Sequence, residues 1–190
     1  MEKNMKLVFI KKLMEMLKTK NLEEITITDL TNKCGVSRQA FYYYFNDIYE
    51  VVEYIFIEET DKEIREFANV ENWSLGYIKL MKWAKENKHI IMNIYHSVAR
   101  EYIENFMNSV LYQYIIKVVK NEAIGLKVYD EQCEFIANFY TKALNAISLD
   151  WISKYMKEEP EEIAKKVTFL LDGNFKKALL KFEKENESKK

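Results

Sequence analysis

The chain has 190 residues, 48% hydrophobic and 31% charged, with a formal net charge of −1. That apolar content can fill one large domain, or a small domain fused to a larger one, while the charged fraction excludes a membrane-embedded protein. Only four glycines and one proline occur, so the scarcity of breakers points to an all-α fold. The longest apolar runs, such as HIIMNIY at 89–95, are too short to span a bilayer. The opening MEKNMKLVFIKKL has only an LVFI patch before two lysines, unlike a signal peptide, so a cytoplasmic protein is expected. Cys34 and Cys133 stand far apart, in no metal-binding spacing. They are expected as reduced thiols in packed surroundings, and no metal or cofactor is expected. Residues 1–48 carry eight basic and six acidic side chains, which leaves the remainder at −3. A mildly basic head on an acidic body hints at a polyanionic partner.

In chain order, residues 5–20 read as a helix with Leu7, Ile10, Met14 and Leu17 on one stripe and lysines off it. Thr28 is placed as the N-cap of a short helix that ends at Cys34-Gly35-Val36, where Gly35 suits a left-handed turn. Ser37 caps a second short helix running to about Phe45, and Asn46 or Asp47 caps a long one running to about Asn69. The two short helices with their glycine-containing turn form a helix-turn-helix. Ile27, Leu30, Cys34 and Val36 supply apolar points around the turn, and Phe41 and Phe45 mark the buried side of the second helix.

Tyr42, Tyr43 and Tyr44 follow one another on that helix, about 100° apart, so they cannot all be core. With Phe41 inward, Gln39, Tyr42 and Tyr43 face outward, while Arg38 and Tyr44 flank the buried seam. A phenol can donate to a phosphate oxygen, and Arg and Gln can read base edges. Double-stranded DNA would cover such a face.

The run ITITDLTNKCGVSRQAFYYYFNDIYEVV, residues 25–52, resembles the TetR family of bacterial transcriptional regulators. It has the order of a threonine-led short helix, a turn of the A-G-V-S kind, then a recognition helix ending in an aromatic run and Phe. The resemblance implies that Thr28 caps the first helix of the motif and touches the DNA backbone, and that Ser37 caps the recognition helix close to the backbone. It implies that Arg38 and Gln39 reach bases in the major groove, and that Tyr42 and Tyr43 bind phosphates. Two positions depart from the pattern. Ala40 stands where threonine is usual and loses a hydroxyl contact, and Ile48 stands where lysine is usual and loses a phosphate contact; together they leave room for weak binding, or for Asn46 and the N-terminal lysines to substitute. Within the family, residues 135–171 are loosely similar to the DhaS-like subgroup, through a helix, Trp, linker, Pro-Glu-Glu, helix pattern.

Beyond the head, helices are expected over 73–96 (one or two), 98–121, 130–156 and from Pro160 to the charged tail. Tyr102, Phe106, Val110, Tyr114 and Val118 are placed on one face of the second of these. The expected architecture is a three-helix DNA-binding head (1–48) joined by a long helix to a C-terminal helical bundle (49–190), about nine helices in all. The resemblance implies a homodimer, placed through residues 130–183, where apolar residues mix with Ala and Ser. Reading DNA requires the same, since two recognition helices must lie about 34–36 Å apart. Tyr77, Trp83, Met92, Tyr95, His96, Tyr102 and Phe106, with Trp73 and Trp151 beside them, are candidates to line an effector pocket. His96 is expected as a hydrogen-bonded core residue. No phosphate-binding glycine loop, nucleophile elbow or zinc-protease motif occurs, so an enzyme is not expected. The leading expectation is a repressor on a palindromic operator, its affinity set by a signal sensed in the C-terminal domain. The alternative is a regulator or activator controlled by a partner protein docking there.

Overall fold

The computed structural model describes residues 2–64 and 73–189, with the side chains of 5–58 and 74–189. The predicted helix end near Asn69 and the Trp73 side chain lie outside these residues. Every described element is helical: α1 (Glu2–Leu17), a 3-10 turn (Leu22–Glu24), α2 (Ile27–Cys34), α3 (Arg38–Tyr44), α4 (Ile48–Ile64), α5 (Trp73–Glu86), α6 (Lys88–Tyr95), α7 (Arg100–Glu122), α8 (Asp130–Ser153), α9 (Pro160–Leu171) and α10 (Asn174–Ser188). The last predicted helix is broken in two, because Gly173 takes a left-handed φ of 66° between α9 and α10. The chain forms two compact units, Met1–Lys62 with Glu86–Phe106, and Glu63–Lys85 with Met107–Lys190.

The first unit is built on aromatic packing. Phe9 of α1 meets Phe41 and Phe45 edge-on, at ring distances of 5.4 and 5.9 Å. All three rings are buried, and a fully buried Phe contributes about 1.5–3 kcal/mol. This contact rotates α1 away from its predicted stripe. The buried face is Phe9, Ile10, Leu13 and Leu17, while Leu7 and Met14 are only half-buried. Val51, Val52 and Ile55 of α4 complete the core. The stripe predicted on α7 shifts similarly. Ile103, Met107, Leu111 and Ile115 are buried beside Phe106 and Val118, whereas Tyr102, Val110 and Tyr114 are half-buried.

The cap of α2 lies two residues before the predicted one. Thr26, not Thr28, is the N-cap: its hydroxyl accepts from the Asp29 N–H at 3.1 Å, and the Asp29 carboxylate accepts from the Thr26 N–H at 3.0 Å. The reciprocal pair satisfies two orphan donors at once, which Thr28 could not do without an acid three residues on. The Thr26 hydroxyl, 2.7 Å from the carboxylate, also holds Asp29 below its ordinary pKa. Thr26→Ala is therefore expected to lower unfolding stability by about 1 kcal/mol, and Thr28→Ala by less than about 0.5 kcal/mol. Urea denaturation of the two variants checks the order.

In the second unit, α8 buries Cys133, Ile136, Ala137, Leu144, Trp151 and Ile152. It stops at Ser153, short of the predicted 156, because Tyr155 and Met156 take φ of 59° and 52°. The bend buries Met156, and the Trp151 Nε1–H ties it down by donating to the Glu158 carbonyl at 2.8 Å. Pro160 then opens α9, where its missing N–H costs nothing. Lys82 and Lys85 of α5 pair with Glu161 and Glu159 at 2.5 and 2.6 Å. The opposite side of α8 leaves Phe135, Phe139, Ala143, Ala146 and Ile147 exposed, as it does Phe169 and Leu170 of α9.

Candidate nucleic-acid interface

Helices α2 and α3 form the helix-turn-helix. Gly35 ends α2 with a left-handed φ of 70°. The next N–H, of Val36, returns to the Thr31 carbonyl at 3.1 Å, so the turn closes in three residues. Ser37 accepts from the Ala40 N–H at 3.2 Å and caps α3 as the sequence predicts. Asp47 accepts from the Glu50 N–H at 2.9 Å at the start of α4, and Glu50 accepts from the Asn46 N–H at 2.7 Å. Each end of α3 is thus fixed by local hydrogen bonding.

What α3 presents follows from its inward rings. Phe41 and Phe45 are locked against Phe9, so Arg38, Gln39, Tyr42 and Tyr43 are all exposed, the two tyrosines at 50% and 69%. The Arg38 guanidinium donates to the Tyr42 hydroxyl at 3.4 Å, which aligns one arm of its fork along the helix. Tyr43 meets Tyr44 edge-on at 4.8 Å, and Tyr44 leans on Phe9, half-buried. Ser37 and Thr28 are exposed at the two helix starts. The departures fall differently. Ala40 is half-buried, and Ile48 is buried in the head core, where it cannot present a side chain to a phosphate. Of the N-terminal lysines, Lys6 lies over the Tyr54 ring at 4.0 Å and Lys12 pairs with Glu15 at 2.9 Å. Lys11, Lys18, Lys20 and Lys33 remain exposed.

The residues predicted for a pocket are divided between the units. Tyr77 and Trp83 lie on α5 in the second. The other five lie in the first, where Tyr102 stacks on Tyr49, Phe106 on Phe56, and Arg100 covers Tyr95. Met92 is buried. His96 is not in the core: α6 ends at Tyr95, so His96 falls beyond the buried face and is exposed. Sequence reasoning missed a buried polar row on α8, formed by Thr141, Asn145 and Ser148. Their spacing of four and three puts them on one face, a signal visible as small polar residues recurring in an otherwise apolar helix. Tyr77, also buried, shares a 2.8 Å hydrogen bond with Ser148, whose hydroxyl donates to the Leu144 carbonyl. Burial pushes the Tyr77 phenol up, so it stays protonated and donates. The Thr141 hydroxyl and the Asn108 side-chain carbonyl are buried without a hydrogen-bond partner. Cys34 is half-buried and Cys133 buried, both free thiols whose pKa burial raises. Among the described residues no group of three or more His, Cys, Asp or Glu could hold a metal ion, and no helix is long and apolar enough to cross a membrane.

A glycine-turned pair of capped helices, with Arg, Gln and two tyrosines held outward by an aromatic core, defines a DNA-binding transcriptional regulator. A family described as "Transcriptional regulator C-terminal region" matches residues 71–173. The chain belongs to the TetR family of transcriptional regulators, a family of regulators rather than enzymes. No curated protein sequence matches it. Its fold is similar to that of the "Dihydroxyacetone kinase operon activator DhaS", at 19% identity and a TM-score of 0.69, covering 94% of this chain and 98% of that one. It is also similar to the TetR family repressor AlkX from Dietzia sp. strain DQ12-45-1b, described as implicated in n-alkane biodegradation. That likeness has 15% identity and a TM-score of 0.58, covering 90% of this chain and 98% of AlkX.

Proposed function

We propose that the protein is a cytoplasmic homodimeric repressor that reads a palindromic operator through α3. Arg38 and Gln39 read base edges, Tyr42 and Tyr43 hold phosphates, and Ser37 and Thr28 lie close to the backbone. The observation that carries this reading is the exposed Arg38-Gln39-Tyr42-Tyr43 face, which turns a guanidinium, an amide and two phenols outward on one capped helix. The second copy docks on the exposed face of α8 and α9. Phe139 and Phe169 are 62% and 83% exposed there, and an apolar groove of about 570 Å³, lined by Ile147, Trp151, Ile163, Val167 and Leu170 among others, adjoins it. The effector site is assigned to the second unit around Tyr77, where the Ser148 and Thr141 hydroxyls are buried. A bound signal would alter the separation of the two heads and so the operator affinity.

Fluorescence anisotropy tests the reading with duplexes tiled from the DNA flanking the gene, at two salt concentrations. Tight binding to one tile is the expected outcome. Binding that is weak, salt-sensitive and blind to sequence would sink it. A second reading is favoured by the fold likeness to DhaS, an operon activator: the same DNA-binding dimer, switched by a partner protein on the second unit. Recovery of a stoichiometric partner protein with the purified chain would favour it.

A further inference from the structure

One side chain of the first unit holds three backbone groups that secondary structure leaves unpaired. Asn93 of α6 accepts from the Leu22 N–H at 2.9 Å through Oδ1. Its Nδ2 donates to the Lys20 carbonyl at 2.7 Å and to the Leu17 carbonyl at 3.3 Å. Leu17 is the last residue of α1, and Leu22 opens the 3-10 turn that leads into α2. A helix end leaves carbonyls without partners, and a helix start leaves N–H groups without partners. Here both kinds are met by one amide, more than 70 residues away in sequence.

We propose that Asn93 is a positioning residue for operator recognition, a latch that makes α6 turn with the helix-turn-helix. The inference rests on the regulator reading above. The chain path gives the latch its leverage. Residues Glu86–Phe106 belong to the first unit, but the chain enters them from the second unit and returns to it afterwards. A head fixed to α6 moves with this segment, whose two ends the chain joins to α5 and α7. A head released from α6 keeps its packing on α1 and α4 but loses this tie, and samples a wider range of orientations. A dimer reads two half-sites at a fixed spacing, so the wider range weakens binding to the paired sites and not to one site. The amide is the group required. A carboxylate at this position would still accept from Leu22, but would face two carbonyls with no donor.

The test compares wild type, Asn93→Ala and Asn93→Asp on three duplexes: the operator found by tiling, one half-site of it, and the operator with two base pairs added between half-sites. Asn93→Ala is expected to bind the operator about tenfold more weakly, a change of about 1.4 kcal/mol, and the single half-site within about twofold of wild type. It should also lose less affinity than wild type when the spacing is lengthened. Asn93→Asp should follow alanine. Amide hydrogen exchange on the same proteins, without DNA, reads the latch separately. The expected result is faster exchange in both 17–24 and 88–96, with 38–44 unchanged. Equal weakening on the operator and the half-site would reduce Asn93 to a support of the head fold and overturn the proposal. Unchanged exchange in 17–24 would overturn it too, whatever the DNA shows. If wild type binds no duplex the regulator reading fails, and exchange still decides whether the latch exists.

Discussion

Replacing both Arg38 and Tyr43 with alanine is expected to weaken operator binding by about 100-fold or more, with folding and dimerisation unchanged. A bidentate Arg contact to a base contributes about 1–3 kcal/mol of discrimination, and a two-fold symmetric complex makes it twice. The single variants should fail in different ways. Arg38→Ala removes a base reader, so the gap between the operator and unrelated DNA should narrow. Tyr43→Ala removes a neutral phosphate donor, so binding should weaken on all sequences, with the salt slope kept. Both side chains are exposed, so their loss should change unfolding stability by less than about 0.5 kcal/mol. Anisotropy titrations on operator and scrambled duplexes, beside a urea melt of each variant, separate recognition from folding. Operator affinity that survives the double substitution would remove α3 from the reading.

The head was largely legible because its determinants are local. Phe41 and Phe45 sit one turn apart, Gly35 stands where a left-handed turn is needed, and Ser37 precedes the helix it caps. Those three facts fix which way Tyr42 and Tyr43 point before any tertiary contact is known. The cap of α2 was misplaced because Thr26 and Thr28 both precede helical sequence. What separates them is the acid three residues on, and only Thr26 has it. The faces of α1 and α7 were harder to read. Apolar residues surround both helices almost evenly, so periodicity allows neighbouring stripes, and packing decides. Phe9 wins over Leu7 because two phenylalanines of α3 and its end wait for an aromatic edge. The Asn93 bridge and the Tyr77–Ser148 bond each join residues 71 apart. No local rule pairs residues at that distance. The small polar row on α8 could have been noticed, but its partner on α5 could not.

The second large effect concerns the exposed face of α8. Phe139→Glu is expected to convert the dimer to monomer, raising its dissociation constant by about three orders of magnitude or more. Burying one Phe contributes about 1.5–3 kcal/mol, and two-fold symmetry places the residue in the interface twice. A glutamate there would add an unpaired charge to an apolar contact, which costs several kcal/mol more. Three orders of magnitude correspond to about 4 kcal/mol, within that range. Because Phe139 is 62% exposed in the single chain, the same change should leave the monomer fold intact. A core residue such as Phe41, fully buried, could not make that distinction. Ile124→Glu serves as control, since Ile124 is 74% exposed in the turn after α7 and outside α8 and α9. Sedimentation equilibrium across a concentration series reads the assembly, and a dimer that survives Phe139→Glu would move the interface elsewhere. The consequence for DNA follows by mass action. The monomer should keep the wild-type affinity for one half-site and lose the gain from joining two, which is the quantity that makes a palindrome specific.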